Sequence, residues 1–364
     1  MVRRPPRTLV AVLAILAGAC SGSPERNPAT KTPPSPAVPP QPPLRATLGD
    51  EVVFAGMCDA SGAVPLSANR MIAADDEDNV LRVYDADQGG KPLSTADLST
   101  ALGLPLKGKK RPRHPEVDLE AATLDGDRAY WVTSHGRNTK GKLKDERLQF
   151  FATTVGESIE MIGTYDGLLD DLIADERYAR FELAAASELA PKLPGGLNIE
   201  GLTATVDGRL FIGFRNPIPR GRALVAPLLN AGELVGGGGA KARFGDPMLL
   251  DLGGQGIRSL SWWRGTYLIV AGDFASGGTS NLYQWDGEGA PRRIDVDLGG
   301  LNPEGFFSPE DRAEIMLLSD DGSVLVDGVE CKALEDAARR SFRGRWLRLE
   351  ADRQVEAQAD ASSG

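Results

Sequence analysis

Polar residues recur at two fixed places in five related segments of the chain. Each segment reads as a short strand, a turn rich in Gly, Asp or Asn, and a more apolar strand. The residue at the first place is acidic in four segments and basic in one: Asp59, Glu120, Glu200, Arg258 and Glu304. The second place follows fifteen or sixteen residues later, where the second strand ends: Asp75, His135, Arg215, Asp273 and Asp320. Repeated carboxylates predict a cation site, because Ca²⁺ and Mg²⁺ prefer oxygen ligands.

The same repeats predict the fold that must position these residues. A third strand follows in each unit, and some units add an outer strand, as at 247–252 and 292–298. Antiparallel units of three or four strands, about 45 to 60 residues long, are typical of propeller blades. The 43 glycines among 364 residues also favour a turn-rich architecture. We therefore predict an all-β chain, a β-propeller with five recognisable blades.

The longest interval between units lies between Glu120 and Glu200. Within it, residues 165–190 have helical periodicity and few β-branched residues. We predict a helical insertion here, and a degenerate sixth blade is the alternative. The strands expected at 50–56 and 343–350 could complete a blade made from both ends of the chain.

A propeller would bring the two sets of polar residues together. The innermost strands surround one channel, so residues at their starts form a ring at one end. The neighbouring antiparallel strand ends beside that start, so both sets should share one mouth. We predict that Asp59, Glu120, Glu200 and Glu304 bind Ca²⁺ or Mg²⁺, since crowded carboxylates need a compensating cation. The alternative is that each carboxylate caps backbone N–H groups in its own blade.

Further polar residues are expected around this mouth. With Asp75 and Arg258, we predict that Ser134, Asn138 and Asn216 bind a small anionic or polyhydroxy ligand. The candidate catalytic residues are His135, Arg215, Asp273 and Asp320. The sequence contains no G-x-S-x-G and no H-E-x-x-H motif, so no catalytic pair is defined by a motif.

The N-terminal residues predict export. In residues 1–19, Arg3, Arg4 and Arg7 precede a short apolar run, as in a signal peptide. Ala17-Gly18-Ala19-Cys20 is similar to a bacterial lipobox, which predicts lipidation of Cys20; secretion with cleavage nearby is the alternative. Residues 20–45 contain nine prolines and predict a disordered tether. The propeller is expected over 46–350 and a disordered tail over 351–364, in a bacterial cell envelope with the lipid in a membrane facing the periplasm or the outside.

The net charge and the cysteines indicate which partners are disfavoured and whether a disulfide is expected. The formal net charge of −10 argues against a nucleic-acid partner. Cys58 and Cys331 lie near the two ends of the expected propeller, and in an oxidising compartment they predict a disulfide that joins those ends. Two separate buried thiols are the alternative.

Several segments resemble a known family. They are CDASGAV, ADDEDNVLRVYD, YWVTSHGRNTKGKL, NIEGLTATVDGRLFIGFRNPIPRGRAL, DLGGQGIRSL and LNPEGFF. These segments resemble the bacterial domain of unknown function 3616 family over roughly residues 50–328, and 198–224 is the most specific part. The resemblance implies a relation to other propellers at the level of the fold, and no established activity.

A more distant resemblance concerns the glutamates that start the inner strands. They are similar to those of gluconolactonase and regucalcin-type propellers, in which a channel glutamate helps to hold a divalent metal. This likeness implies Glu120, Glu200 or Glu304 as metal ligands. It further implies that Arg215, Arg258 and His135 orient a substrate, and that Asp75, Asp273 or Asp320 is a general base.

Two functions follow from these expectations. The first is an exported, lipid-anchored propeller whose mouth binds a small ligand or a protein partner, with a divalent metal. The second is a metal-dependent hydrolase of a lactone, ester or phosphoester in the cell envelope.

Overall fold

The computed structural model describes residues 44–108, 112–156, 158–275 and 278–349. The predicted signal peptide, the lipidation site Cys20, the tether up to residue 43 and the predicted tail at 351–364 lie outside the described residues. The first strand, β1 (Leu44–Ala55), begins two residues before the expected start of the propeller.

Five four-stranded antiparallel sheets form the described part of the chain. Blade 1 consists of β2 (Gly62–Ser67), β3 (Arg70–Ala74), β4 (Val80–Asp85) and β5 (Ser94–Asp97). Blade 2 consists of β6 (Leu119–Asp125), β7 (Arg128–Thr133), β8 (Phe150–Thr154) and β9 (Met161–Tyr165). Blade 3 consists of β10 (Asn198–Ala204), β11 (Leu210–Asn216), β12 (Ala223–Leu228) and β13 (Met248–Leu250).

The last two blades complete the ring. Blade 4 consists of β14 (Gly256–Trp263), β15 (Thr266–Gly272), β16 (Asn281–Trp285) and β17 (Arg292–Asp295). The remaining strands are β18 (Pro303–Phe307), β19 (Ile315–Ser319), the small hairpin β20 (Leu325–Val326) and β21 (Val329–Glu330), and β22 (Ser341–Leu349). Blade 5 has the order β18-β19-β22-β1. The predicted five-bladed propeller is therefore confirmed.

Both ends of the folded chain build blade 5. β1 pairs antiparallel with β22 from Ala46 opposite Leu349 to Ala55 opposite Ser341. β1 also pairs in parallel with β17 at Leu44 and Arg45, so it joins the outer edges of blades 5 and 4. This closure is the one predicted from the strands at 50–56 and 343–350.

The inner strands approach one another closely around the channel. Each of β2, β6, β10, β14 and β18 contacts the next, and β18 contacts β2. Glycine permits the closest approaches: a Cβ at Gly305 would collide with the carbonyl oxygen of Ala60, and one at Gly62 would lie 3.0 Å from the amide nitrogen of Ala122. A five-bladed ring therefore leaves only a narrow channel.

The hydrophobic core consists of layers between successive blades. Phe151 and Trp131 of blade 2 pack with Ile72 of blade 1, and equivalent clusters separate each of the other neighbouring blades. Burying one such side chain contributes roughly 1.5–3 kcal/mol. The alternation of apolar residues along the strands thus produces sheets that are covered on both faces.

Helices occupy the segment predicted as an insertion. α1 (Leu168–Ala174) and α2 (Leu183–Ser187) flank a 3-10 helix at Glu176–Phe181. Their apolar side chains, among them Leu172 and Tyr178, pack on blades 2 and 3. The predicted helical insertion is confirmed. A short α3 (Ala231–Leu234) and 3-10 turns at Asp145–Arg147, Pro219–Gly221, Cys331–Ala333 and Ala337–Arg339 complete the helical elements of the described chain.

The predicted disulfide is present. Cys58 and Cys331 are bonded, with their Cα atoms 5.8 Å apart. The bond ties the segment that follows β1 to the loop between the strands β21 and β22. Within the described residues, no helix combines the length and the apolar character needed to cross a membrane.

Candidate functional site

A cavity of about 580 Å³ opens at one end of the channel. It is lined by the starts of inner strands, by the ends of second strands, by Lys107, and by the segments 113–118 and 139–147. Below it, small residues such as Ser61, Ala121 and Ser259 nearly fill the channel. The volume lies within the range of small-molecule sites. The predicted mouth is therefore a blind pocket rather than a pore.

β-Bulges place the charged residues of the inner strands. The ladder skips one residue at Glu120, Glu200, Arg258 and Glu304, each of which lies between two paired residues. A bulge turns the side chain out of the regular alternation and is frequent beside functional sites. The polar first place of blades 2 to 5 is thus a bulged position.

Blade 1 departs from this pattern. Its ladder begins where Gly62 pairs with Ala74, so the residue that immediately precedes the ladder is Ser61. In blade 3, Glu200 stands in the same relation to Gly201, which pairs with Gly213. Ser61 therefore occupies the first place in blade 1, and Asp59 reaches the cavity from the loop before β2.

The second set of predicted residues divides into two groups. Two positions after the second-strand residue that pairs with Gly62, Gly201 or Gly305, the chain carries Asp76, Arg215 or Asp320, respectively. These three residues are therefore equivalent, and all three line the cavity. The equivalents in blades 2 and 4 are Ser134 and Gly272. Asp75, His135 and Asp273 are each shifted by one residue and are not part of the cavity wall. A shift of one residue along a strand reverses the direction of the side chain, and fixed sequence spacing cannot detect it.

These three shifted residues have local structural partners. The Asp75 carboxylate accepts a hydrogen bond from the Glu77 N–H at 2.7 Å, while burial and then the charge of Asp78 raise the pKa of Asp75 to about 7. His135 is buried, its Nδ1 donates to the Thr133 carbonyl at 2.8 Å, and burial lowers its pKa to about 4. Asp273 has an exposed side chain, and its backbone carbonyl accepts from Arg215 Nε at 2.9 Å.

The predicted ligand-binding amides also organise loops. Asn138 accepts hydrogen bonds from the N–H groups of Lys140 and Lys142. Asn216 is buried and donates to the carbonyls of Pro191 and Leu193. Ser134 accepts from the Gly136 N–H at 3.2 Å. None of these three lines the cavity within the part of the chain that the structure describes.

Four buried charges from blades 3, 4 and 5 form a closed ring, which we call the Arg–Glu ring. Arg215 Nη1 lies 2.6 Å from Glu200 Oε1 and 4.0 Å from Glu304 Oε1. Arg258 contacts Glu304 and lies 3.8 Å from Glu200 Oε2. All four side chains are at most 10% exposed. The ring pairs each buried carboxylate with two guanidinium groups, which compensates the cost of burial.

Beside the Arg–Glu ring, the cavity wall has four carboxylates that form no ion pair with a described residue. We call Asp59, Asp76, Glu120 and Asp320, from blades 5, 1 and 2, the acidic wall. Burial raises the pKa values of Asp59, Asp76 and Glu120 well above their ordinary range, and neighbouring carboxylates raise them further. The charge of the mouth is therefore asymmetric, with its buried arginines on blades 3 and 4.

Three carboxylates are close enough to share one ion. Oxygen atoms of Asp59, Glu304 and Asp320 all lie within 4.8 Å of one another. Asp59 is only 4% exposed, and its Oδ1 has no hydrogen-bond partner among the described residues. Asp320 is oriented by the Gly322 N–H at 2.8 Å and by Asn302 Nδ2 at 3.2 Å. These donors are of the type that hard divalent cations select.

The capping alternative finds no support in the hydrogen bonds. No backbone N–H of a described residue donates to Asp59, Glu120, Glu200 or Glu304. The partners of Glu200 are side chains, Asn198 at 2.6 Å and Arg215. The four carboxylates therefore face the channel instead of closing turns in their own blades.

The cavity residues that were absent from the prediction include Asp76, Asp118 and Arg147. Arg147 binds Asp118 at 2.7 Å and also contacts Glu116. Burial raises the pKa of Asp118 to about 6 although Arg147 opposes the shift. Asp76 could have been found by aligning Ser61-Gly62 with Glu200-Gly201, whereas the sequence offers no signal for the Asp118–Arg147 pair.

Solved structures with similar folds include three that cover most of the chain. The glutaminyl cyclase of Myxococcus xanthus has a TM-score of 0.47 and 13% identity, with 85% of this chain and 100% of that chain covered. The PQQ-bound aldose sugar dehydrogenase of Streptomyces coelicolor has a TM-score of 0.43 and 12% identity, with 85% of this chain and 100% of that chain covered. The β-propeller domain of Cps50 (Swd1) from Myceliophteria thermophila has a TM-score of 0.32 and 10% identity, with 80% of this chain and 82% of that chain covered.

The sequence comparisons concern the middle of the chain. No curated protein matches the sequence. The matched segment of the family model contains residues 198–224, which carry the most specific part of the predicted resemblance. Residues 147–297 match the family described as Protein of unknown function (DUF3616), and the resemblance to that family is confirmed.

Proposed function

We propose that the protein binds a divalent cation, Ca²⁺ or Mg²⁺, at Asp59, Glu304 and Asp320, and through it a small anionic or polyhydroxy ligand. The observation that carries this proposal is the buried Asp59 carboxylate, whose Oδ1 has no partner among the described residues, beside two further carboxylates in the cavity wall. A buried, unpaired carboxylate is costly unless it is protonated or meets a cation. A bound ion would remove that cost and leave coordination positions open towards the cavity.

Asp59→Asn is expected to abolish cation binding. The substitution keeps the size of the side chain but removes the charge that the ion would neutralise. Isothermal titration with Ca²⁺ and with Mg²⁺ measures the effect, and the matched control is Asp311→Asn, an exposed carboxylate at the other end of the channel. Binding by the control and by the wild type, without binding by Asp59→Asn, supports the site. Equal binding by all three proteins, or no binding by the wild type, contradicts it.

A metal-dependent hydrolase is the second candidate, and one observation favours it. Asp76 and Glu120 line the same cavity, and burial and neighbouring carboxylates raise their pKa values, as is common for general acids and bases. A cation at the acidic wall would polarise a carbonyl or phosphoryl oxygen near them. Cation-dependent turnover of a lactone, ester or phosphoester distinguishes this function from binding alone. Its absence across such a panel, with cation binding intact, argues for a binding protein.

We also infer that the chain is exported and lipid-anchored. The support is the signal-like sequence before Cys20 together with the Cys58–Cys331 disulfide, since disulfides persist mainly outside the cytoplasm. Cys20→Ser is expected to shift the protein from the membrane fraction to the soluble fraction of the envelope. An unchanged distribution of the Cys20→Ser variant would contradict the anchor.

A further inference from the structure

The buried arginines of the mouth are already neutralised, although they were the expected anion-binding groups. Arg215 uses Nη1 for Glu200, Nε for the Asp273 carbonyl and Nη2 for the Ala275 carbonyl. Arg258 contacts Glu304, donates from Nη1 to Asn302 at 2.6 Å and does not line the cavity. An anion that displaced these partners would leave two buried glutamates uncompensated. The anion must therefore be bound by other cations.

Three cations at the opening have excess positive charge. We call Lys107, Arg113 and Lys144 the basic corner; all three line the cavity. Lys107 and Lys144 share one carboxylate, that of Glu146, at 3.0 and 3.3 Å. Arg113 is exposed and forms no ion pair with a described residue. Antiparallel backbone hydrogen bonds of 2.9 and 3.0 Å between Lys107 and Arg113 hold the two residues side by side. The corner thus presents three cations against one anion.

The same cavity contains the acidic wall, so its lining carries groups of both charges. A metal ion at the wall and an anion at the corner would each be complemented. A carboxylate ligand supplies one charge and two oxygens, whereas a phosphoryl group supplies close to two charges and three acceptor oxygens. Arginine and lysine are common partners of phosphoryl oxygens, and Mg²⁺ is typically held by protein carboxylates together with phosphate oxygens.

We propose that the ligand of the mouth bears a phosphoryl group, which the basic corner binds while the cation at Asp59, Glu304 and Asp320 neutralises its remaining charge. This inference rests on the proposed cation site. The recognised chemistry is shared by inorganic phosphate and by phosphomonoesters. The two sources differ in what fills the rest of the cavity.

The test is a titration of the Mg²⁺-loaded protein with inorganic phosphate and, separately, with glycerol phosphate. Arg113→Gln and Lys107→Gln are each expected to weaken phosphate binding roughly tenfold to a hundredfold, as expected for the loss of a charged hydrogen bond. The control is Arg70→Gln, an exposed arginine at the other end of blade 1. Tighter binding of glycerol phosphate than of phosphate identifies a phosphomonoester, and the reverse identifies the free ion.

Titration with Mg²⁺ alone separates this inference from the proposed function. The two corner variants are expected to keep wild-type Mg²⁺ affinity. If the wild type binds Mg²⁺ but neither phosphate probe, the phosphoryl inference is overturned and the cation site stands. Phosphate affinity unchanged by both corner substitutions also overturns the inference. If neither Mg²⁺ nor Ca²⁺ binds in separate titrations, the proposed function itself fails.

Discussion

Replacing Arg258 by methionine lowers the free energy of unfolding by about 3–5 kcal/mol, the usual cost of removing one partner from a buried ion pair. Arg258 contacts Glu304 and lies 3.8 Å from Glu200, and its side chain is 8% exposed. Methionine retains much of the apolar length of arginine, so the decrease in the free energy of unfolding measures the effect of removing the charge. Urea denaturation measures it. The control is Arg293→Met, an exposed arginine on the outer strand of the same blade, which should change stability by at most about 0.5 kcal/mol.

The same variant should also become more dependent on a cation. Without Arg258, Glu304 would have only Arg215 at 4.0 Å to offset its charge, and it is one of the three carboxylates close enough to share an ion. Ca²⁺ or Mg²⁺ should therefore stabilise Arg258→Met more than it stabilises the wild type. A variant as stable as the control, or one that a cation stabilises no more than the wild type, would contradict the role given to the Arg–Glu ring.

Much of the fold is predictable from the sequence because blades are local units. Strand, turn and strand recur at similar spacing, and each unit carries its own apolar alternation. The closure is also predictable: the strands at 50–56 and 343–350 had no partners in their neighbouring sequence, and they pair with each other. The helical segment was recognisable by its period, which differs from that of a strand.

The site is less predictable because it depends on register and on contacts between blades. Asp75 and Asp76 are adjacent in sequence, yet only Asp76 lines the cavity. Hairpins of unequal length shift the register by one residue, and fifteen-residue spacing cannot reveal the shift. The ion pairs that join Arg258 to Glu304, and Arg147 to Asp118, connect residues 46 and 29 positions apart. Such pairs form only after the chain has folded, so no local pattern encodes them.

Replacing both cysteines of the disulfide by alanine should cost about 5 kcal/mol. The Cys58–Cys331 bond closes a loop with a sequence separation of 273, and the entropy removed from the unfolded chain grows with loop length. Alanine is the suitable replacement because both sulfurs are buried in an apolar cluster with Leu334, and alanine adds no polar group there. Urea denaturation of the Cys58→Ala/Cys331→Ala protein against the oxidised wild type measures the loss.

The Cys58–Cys331 disulfide should affect cation binding at the mouth as well as the stability of the protein. Cys58 directly precedes Asp59, and Lys332, which follows Cys331, lines the cavity. In addition to the disulfide, the Cys58 carbonyl accepts a hydrogen bond of 2.9 Å from the N–H of Asp321, the residue after Asp320. Removal of the disulfide should therefore weaken cation binding as it loosens the loop that carries Asp59. A loss of stability below about 1 kcal/mol with unchanged cation affinity would mean that the pairing of β1 with β22 closes the propeller by itself.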